Sequence, residues 1–255
     1  MTLTALIILL VLFLVTSIVG VVTGSNSLIT VPVMFQFGID EKTAVATNMF
    51  GLTFMAAGGA IPFLRKRMIS VRSSWPMILL TVAGSALGGL LVGVITNQGL
   101  KLVVSIAMIA VAVFTVFRGS KRADEAARPV EGRVSGVVMG LVFGLAVYGG
   151  LYSGGYVTLL TALLAAYTAM PFIEAIGLTK LLNVFSSGIA TLIFLWNGLV
   201  DLKLGLMLAA VMFVGAYAGA HLATRMNESF LRWVFLTTVI TLAVKMLYDL
   251  SWSFV

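Results

Sequence analysis

Eight long apolar runs dominate this chain, and each is about 18 to 22 residues long. They cover residues 5–22, 44–64, 75–95, 100–117, 134–151, 175–196, 204–223 and 233–250. At 1.5 Å per residue, a helix of that length crosses the roughly 30 Å hydrocarbon core of a bilayer. Only 10% of the residues are charged, whereas soluble domains carry about 25%. The sequence therefore predicts an all-α membrane protein with about eight transmembrane helices.

The chain also repeats itself at a distance of about 131 residues. Residues 38–117 align with residues 171–250, and this register places Gly88 on Gly219. A repeat of this kind predicts two homologous four-helix halves, as in many secondary transporters. The predicted organisation is an N-terminal transmembrane repeat at 1–117, a cytoplasmic linker at 118–133 and a C-terminal transmembrane repeat at 134–255.

A short polar interruption lies at a corresponding place in each half. The first consists of Gly24, Ser25, Asn26 and Ser27, and the second of Ser153, Gly154 and Gly155. Each is followed by a shorter apolar piece, at 28–37 and 156–170, and the first piece reaches only about 15 Å as a helix. We therefore predict a broken or re-entrant helix in each half. Paired interruptions in corresponding positions are the sequence pointer to a transporter's binding site.

The chemistry of these interruptions favours an anion. Backbone groups freed from a helix cannot face lipid, so both interruptions must line protein or a watery cavity. Each following helix begins with free N–H groups and the positive end of its dipole. Ser25, Asn26 and Ser27 add donors, and Gly154 and Gly155 allow a ligand close to the backbone. The alternative is that these small residues only let helices pack closely.

A second polar layer opens the segment after each short piece. Its members are Thr47 and Asn48 in the first half, and Thr179, Lys180 and Asn183 in the second. A lysine inside an apolar segment is costly, and we interpret Lys180 as an electrostatic partner for an anion. The alternatives are that Lys180 reaches an interface or pairs with Glu174, and that the neutral members bond neighbouring helices.

Three aromatic side chains complete the candidates. Tyr148 and Tyr152 flank the second interruption, where they either line a cavity or fill space. His221 is a candidate for proton coupling, because histidine changes charge most readily near neutral pH. Its neighbours on the helix are small, so the alternative is that His221 only packs against another helix.

Basic residues orient the predicted helices. Nine of the sixteen lysines and arginines lie in two connections, at 65–72 and 118–133, which the positive-inside rule places in the cytoplasm. Contact with anionic lipid is the alternative role for these clusters. If the short pieces enter and return on one side, the repeats are parallel and both termini are cytoplasmic; if they cross, the repeats are inverted. The shortness of 28–37 favours the parallel arrangement.

Composition excludes several other functions. The chain has no cysteine and one histidine, which leaves no thiol chemistry and little basis for a metal site. It contains no His-Glu-x-x-His motif, no P-loop and no intramembrane aspartate pair. We therefore expect no enzyme activity, no cofactor and no metal. The net charge of +7 reflects the two basic connections and does not indicate nucleic acid. The oligomeric state stays open.

Several motifs carry a family resemblance. The first half contains Ala-Val-Ala-Thr-Asn at 44–48, Arg-Lys-Arg at 65–67 and Gly-Ser-Ala-Leu-Gly-Gly at 84–89. The second contains Val-Tyr-Gly-Gly-Leu-Tyr-Ser-Gly-Gly at 147–155, Leu-Thr-Lys-Leu-Leu-Asn at 178–183 and Gly-Ala-Tyr-Ala-Gly-Ala at 215–220. With these motifs the chain resembles the TauE/SafE sulfite exporter family over about residues 15–247. The resemblance implies an eight-helix transporter of sulfite, sulfonates or related organosulfur anions.

The functional prediction combines these observations. We expect a secondary transporter that moves small anions across the cytoplasmic membrane by alternating access, with a coupling proton or ion as a possible partner. The alternatives are an anion channel and a membrane scaffold protein that transports nothing. The internal duplication favours a carrier, because channels are commonly built from several subunits around a pore.

Overall fold

The computed structural model describes residues 3–24, 26–100, 102–103, 106, 136–168, 170–227, 229–231, 233–234 and 237. These residues form helices and connections, without a strand among them, so the all-helical prediction is confirmed for this part of the chain. Ser25, the linker at 118–133 and most of the predicted spans at 100–117 and 233–250 lie outside the described residues.

The described helices follow the apolar runs. They are α1 (Leu3–Thr23), α2 (Asn26–Gln36), α3 (Glu41–Arg65), α4 (Trp75–Val94), α5 (Gly136–Leu151), α6 (Tyr156–Tyr167), α7 (Phe172–Trp196) and α8 (Leu202–Ala223). Five of them, α1, α3, α4, α7 and α8, are long and apolar enough to cross a bilayer. The chain is therefore a multi-pass membrane protein. Helices α2 and α6 have 11 and 12 residues and reach only about half of the hydrocarbon core.

Aspartates start two of the long helices. The Asp40 carboxylate accepts a hydrogen bond from the Thr43 N–H at 3.2 Å, and the Asp201 carboxylate accepts one from the Leu204 N–H at 3.0 Å. These contacts satisfy free N–H groups in the first turns of α3 and α8. The two caps fix where the helices begin after the connections that precede them.

Glycines allow equivalent helix pairs to approach closely. A Cβ on Gly84 of α4 would lie 2.8 Å from the Phe143 carbonyl oxygen on α5. A Cβ on Gly215 of α8 would lie 2.7 Å from the Leu14 carbonyl oxygen on α1. Contacts this short exclude any larger residue without movement of the backbone. The glycines that the repeat places in register thus make the same kind of contact in two places.

Helices α3 and α7 run in opposite directions. Thr53 bonds to Thr191, Gly59 packs against Lys180, and Phe63 packs against Gly177, so residue numbers rise on α3 as they fall on α7. These two helices occupy equivalent positions in the predicted halves. The inverted arrangement agrees with their directions, and the parallel arrangement that the short segment favoured does not.

The direction of α1 explains why the parallel arrangement does not agree with the structure. Leu14 lies against Gly215 and Ile18 against Gly219, so α1 is parallel to α8, whose C-terminal end lies beside Lys66. Helix α1 therefore begins at the end away from the basic connection, and the side on which each terminus lies stays a prediction. Asn26 at the start of α2 contacts Ser17, and α2 leads to the start of α3. Helices α1 and α2 thus form one hairpin. The sequence argument had treated α1 as a membrane crossing and α2 as a separate re-entrant piece.

Candidate functional site

The two polar interruptions meet in the interior. The Ser27 and Ser153 hydroxyl oxygens lie 2.8 Å apart. The Tyr152 hydroxyl donates to the Ser27 carbonyl at 3.0 Å, and the Thr158 hydroxyl donates to the Thr23 carbonyl at 2.7 Å. Thr23 and Thr158 flank the interruptions, and the other residues belong to an interruption or adjoin one. All of these residues are buried. The two predicted halves therefore contact each other through the places where their helices are broken.

Glycine conformation makes this meeting possible. Gly24 and Gly155 have φ angles of +70° and +80°, a region that residues with a side chain rarely adopt. A Cβ on Gly24 would lie 2.6 Å from the Thr158 backbone nitrogen in the first turn of α6. Gly154 is also confined, because its carbonyl accepts a hydrogen bond from the Tyr148 hydroxyl and its Cα faces the Tyr152 ring. The first interruption thus packs directly on the start of the second short helix.

A small cavity lies where the interruptions meet. It leaves about 10 Å³ for the centre of a water molecule, which is room for about one water. Its polar lining consists of Asn26, Ser27, Ser153, Lys180 and Asn183, together with Gly20 and Gly24. Leu52, Met55, Ala56 and Val157 supply the apolar walls. Five side chains that the sequence singled out therefore line one small cavity.

Lys180 brings a positive charge to this cavity. Its side chain is 2% exposed, and its Nζ donates to the Gly20 carbonyl oxygen at 2.8 Å. The stem packs against Gly59, and no carboxylate in the described part of the chain pairs with the ammonium. Lys180 therefore neither reaches an interface nor pairs with Glu174, the two alternatives that its sequence position left open. A buried ammonium with one carbonyl partner is electrostatically unsatisfied.

Two asparagines add polar atoms to the same space. The Asn26 amide nitrogen donates to Ser17 Oγ at 3.4 Å and contacts Met55 Sδ at 2.9 Å. The Oδ1 atoms of Asn26 and Asn183 are buried without a hydrogen-bond partner among the described residues. Because buried polar atoms are normally paired, these oxygens indicate a place for a further polar group.

The remaining predicted residues either contact a residue that lines the cavity or lie elsewhere. Asn48 donates to Ser27 Oγ at 2.9 Å and accepts from the Thr30 hydroxyl at 2.9 Å, so it orients a residue that lines the cavity. Thr47 accepts from the Asp201 N–H at 3.0 Å, and Thr179 donates to the Ala175 carbonyl at 2.8 Å. The two threonines therefore bond helices and do not line the cavity.

His221 lies apart from this site. It is in the last turn of α8, where its ring stacks on Tyr217 with centroids 6.4 Å apart. The Tyr217 hydroxyl accepts a hydrogen bond from Arg65 at 3.4 Å, which places both rings beside the basic connection. The contacts of His221 agree with the packing alternative. Its proton-coupling role stays a prediction without support from position.

Sequence reasoning missed part of the lining. Gly20 supplies the carbonyl that holds Lys180, and Ser17 and Met55 position Asn26. Ser17, Gly20 and Gly24 are spaced three and four residues apart, which puts them on one face of a helix. That small, partly polar stripe on α1 was a usable signal for the face that lines the cavity.

Comparison with known proteins identifies a family for this chain. The family described as "Sulfite exporter TauE/SafE" matches residues 8–246, which is nearly the whole chain. The chain belongs to the TauE/SafE family. The resemblance that the motifs carried is thereby confirmed.

Curated relatives of the TauE/SafE chain are named as transporters. A "Probable membrane transporter protein" of Haemophilus influenzae is 26% identical over 240 residues, which cover 93% of this chain and 92% of the relative. "Probable membrane transporter protein ORF9" of a Sinorhizobium species is 24% identical, with 89% and 87% covered. "Probable membrane transporter protein YfcA" of Escherichia coli K12 is 25% identical, with 94% and 89% covered. No solved structure matches this chain.

Proposed function

We propose that this chain is a secondary transporter that moves a small anion, of the sulfite, sulfonate or related organosulfur class, across the cytoplasmic membrane. One observation carries the proposal: the buried Lys180 ammonium faces a cavity formed where two broken helices meet. The family description and the relatives' names support transport, and the site supports a negative charge on the substrate.

Electrostatics favours an anion over other ligands. A unit charge 4 Å from an ammonium contributes roughly 4 kcal/mol at an effective dielectric constant of 20. The Ser27 and Ser153 hydroxyls add donors that turn toward a bound oxygen once their mutual hydrogen bond opens. Short helices α2 and α6 begin at the same place, and their N-terminal ends favour negative charge. The site thus offers one full charge and several partial ones.

The helix directions support alternating access. Equivalent helices α3 and α7 are antiparallel, and the two interruptions contact each other across the halves. In transporters built from inverted repeats, movement of one half relative to the other opens a central site to either side in turn. The cavity has room for about one water, so it must widen to admit an oxyanion.

Flux measurements test the proposal. Purified protein in liposomes should give saturable uptake of sulfite or of one compound among sulfate, thiosulfate, taurine and sulfoacetate. Single-channel currents would favour the anion channel, because the cavity would then have to open into a continuous pore. Absence of flux for all these anions would favour the scaffold alternative and contradict the proposal.

A glycine substitution ties the flux to the interruptions. Gly154→Leu should block transport, because any side chain there overlaps the Tyr152 ring. Gly144→Leu is the matched control on α5, since a Cβ at that exposed position meets no atom within 4 Å. Normal flux in Gly154→Leu would show that the second interruption is a packing feature only.

A further inference from the structure

A second buried polar cluster lies one turn along α7 from the central cavity. We call it the hydroxyl cluster: Thr81 and Ser85 of α4, Tyr156 of α6 and Ser186 of α7. Ser85 Oγ lies 2.7 Å from Ser186 Oγ and donates to the Ala146 carbonyl of α5 at 2.9 Å. All four side chains are at most 1% exposed. Four helices therefore contribute oxygen atoms to one point in the protein interior.

Two members of the hydroxyl cluster lack partners. Thr81 Oγ1 and Tyr156 Oη are buried and make no hydrogen bond of ordinary geometry within the described part of the chain. The Tyr156 phenol nevertheless lies beside the Thr81 and Ser186 hydroxyls. Buried hydroxyls are normally hydrogen-bonded, so two unpaired ones together require an explanation.

The equivalent place in the other half shows that the fold does not need these hydroxyls. In the register of the repeat, Thr81 corresponds to Met212 and Ser85 to Ala216. Both equivalents are buried apolar residues. Close packing of the same helix pairs is thus achieved without polar groups, and packing alone does not account for the cluster.

We propose that the hydroxyl cluster binds a small monovalent cation of the size of sodium. Its polar atoms are all oxygens, the ligand type that hard cations prefer, and the Ala146 carbonyl adds a fifth. The cluster contains no carboxylate, which favours a monovalent over a divalent ion. It also contains no nitrogen donor that would favour a second anion.

The hydroxyl cluster and the cavity lie close together along α7. The coupling between them that we infer from this spacing rests on the proposed function. Asn183 lines the cavity, and Ser186 lies one turn further on, about 9 Å from Lys180 along the helix. Without an anion, the Lys180 ammonium repels a cation at the cluster. A bound anion offsets that repulsion, so each ion increases the affinity for the other. This arrangement couples anion transport to a sodium gradient.

Thermal unfolding of the purified full-length protein tests the cation site independently of transport. We expect sodium chloride to raise Tm by a few degrees relative to choline chloride and potassium chloride at equal ionic strength. Thr81→Val and Ser186→Ala should abolish this difference. Thr81→Val breaks no hydrogen bond, because Thr81 Oγ1 has none within the described residues, so that variant should fold.

Thr191→Val is the matched control, because it removes a buried hydroxyl on α7 that bonds to Thr53 outside the cluster. It should keep the sodium-dependent difference. Equal Tm values in the three salts, or a sodium effect that persists in Thr81→Val and Ser186→Ala, would overturn the cation site and indicate a buried water only. Sulfite flux without any sodium effect would leave the proposed transport intact, whereas sodium binding without flux would contradict the transport proposal alone.

Discussion

Helices α3 and α7 occupy equivalent places in the repeat, yet their polar residues differ in their hydrogen-bond partners. Asn48 of α3 is bonded on both sides, to Ser27 and Thr30. Lys180, at the corresponding place on α7, has a single carbonyl partner and faces the cavity. The repeat thus predicts two equivalent helices, and the difference between Asn48 and Lys180 supplies the charge. Four predictions test this difference, from the largest expected effect to the smallest.

Lys180→Met should reduce anion transport about 100-fold. Methionine keeps the length of the stem but removes the charge, and loss of a buried charge partner costs about 3 kcal/mol, which corresponds to that factor. Initial rates of anion uptake in liposomes measure the loss. Lys203→Met, at an exposed position at the start of α8, is the control and should transport normally. Unchanged kinetics in Lys180→Met would remove this residue from the site.

Asn48→Leu should reduce transport about tenfold. Leucine cannot hold the Ser27 hydroxyl, and the loss of a buried hydrogen bond that leaves a partner unpaired costs about 1 to 3 kcal/mol. The comparison of α3 with α7 requires a smaller effect here than for Lys180→Met in the same uptake assay. An equal or larger loss would mean that the bonded residue carries as much function as the charged one.

Thr47→Val and Thr179→Val should lower the free energy of unfolding by about 1 kcal/mol each and leave transport within about twofold of normal. Both hydroxyls bond backbone groups of helices and lie outside the cavity. Thermal unfolding and uptake, measured on the same preparations, separate the two effects. A large loss of transport at unchanged stability would place these threonines in the substrate's path.

His221→Phe should change neither transport nor its dependence on pH. The ring stacks on Tyr217 at the basic end of α8, and phenylalanine preserves that packing. Uptake at several external pH values provides the measurement. If the pH profile flattened in the variant, the histidine would be part of proton coupling despite its distance from the cavity.

Much of this arrangement could be predicted from the sequence. Apolar run lengths predicted the long helices, and the polar interruptions predicted where α2 and α6 begin. Lys180 was recognisable because a charge in an apolar segment has few structural explanations. These features depend on local composition and spacing, which a single chain displays directly.

Other features depend on how segments pair in space. The hairpin of α1 and α2 reverses the direction of everything after it, and hydropathy is the same for either direction. The Gly20 carbonyl could not be singled out, because every residue carries one and only the fold decides which is offered to Lys180. The hydroxyls of Ser85 and Ser186 likewise lie 101 positions apart in sequence and have no shared motif.

The bonds between the two interruptions have a consequence for splitting the gene. Thr158 donates to the Thr23 carbonyl, and Ser27 lies against Ser153, so residues of the second predicted half bond the broken helix of the first. A fragment ending in the central connection would expose severed backbone groups to lipid, where each costs several kcal/mol. Two such fragments should accumulate only when they are produced together in one cell.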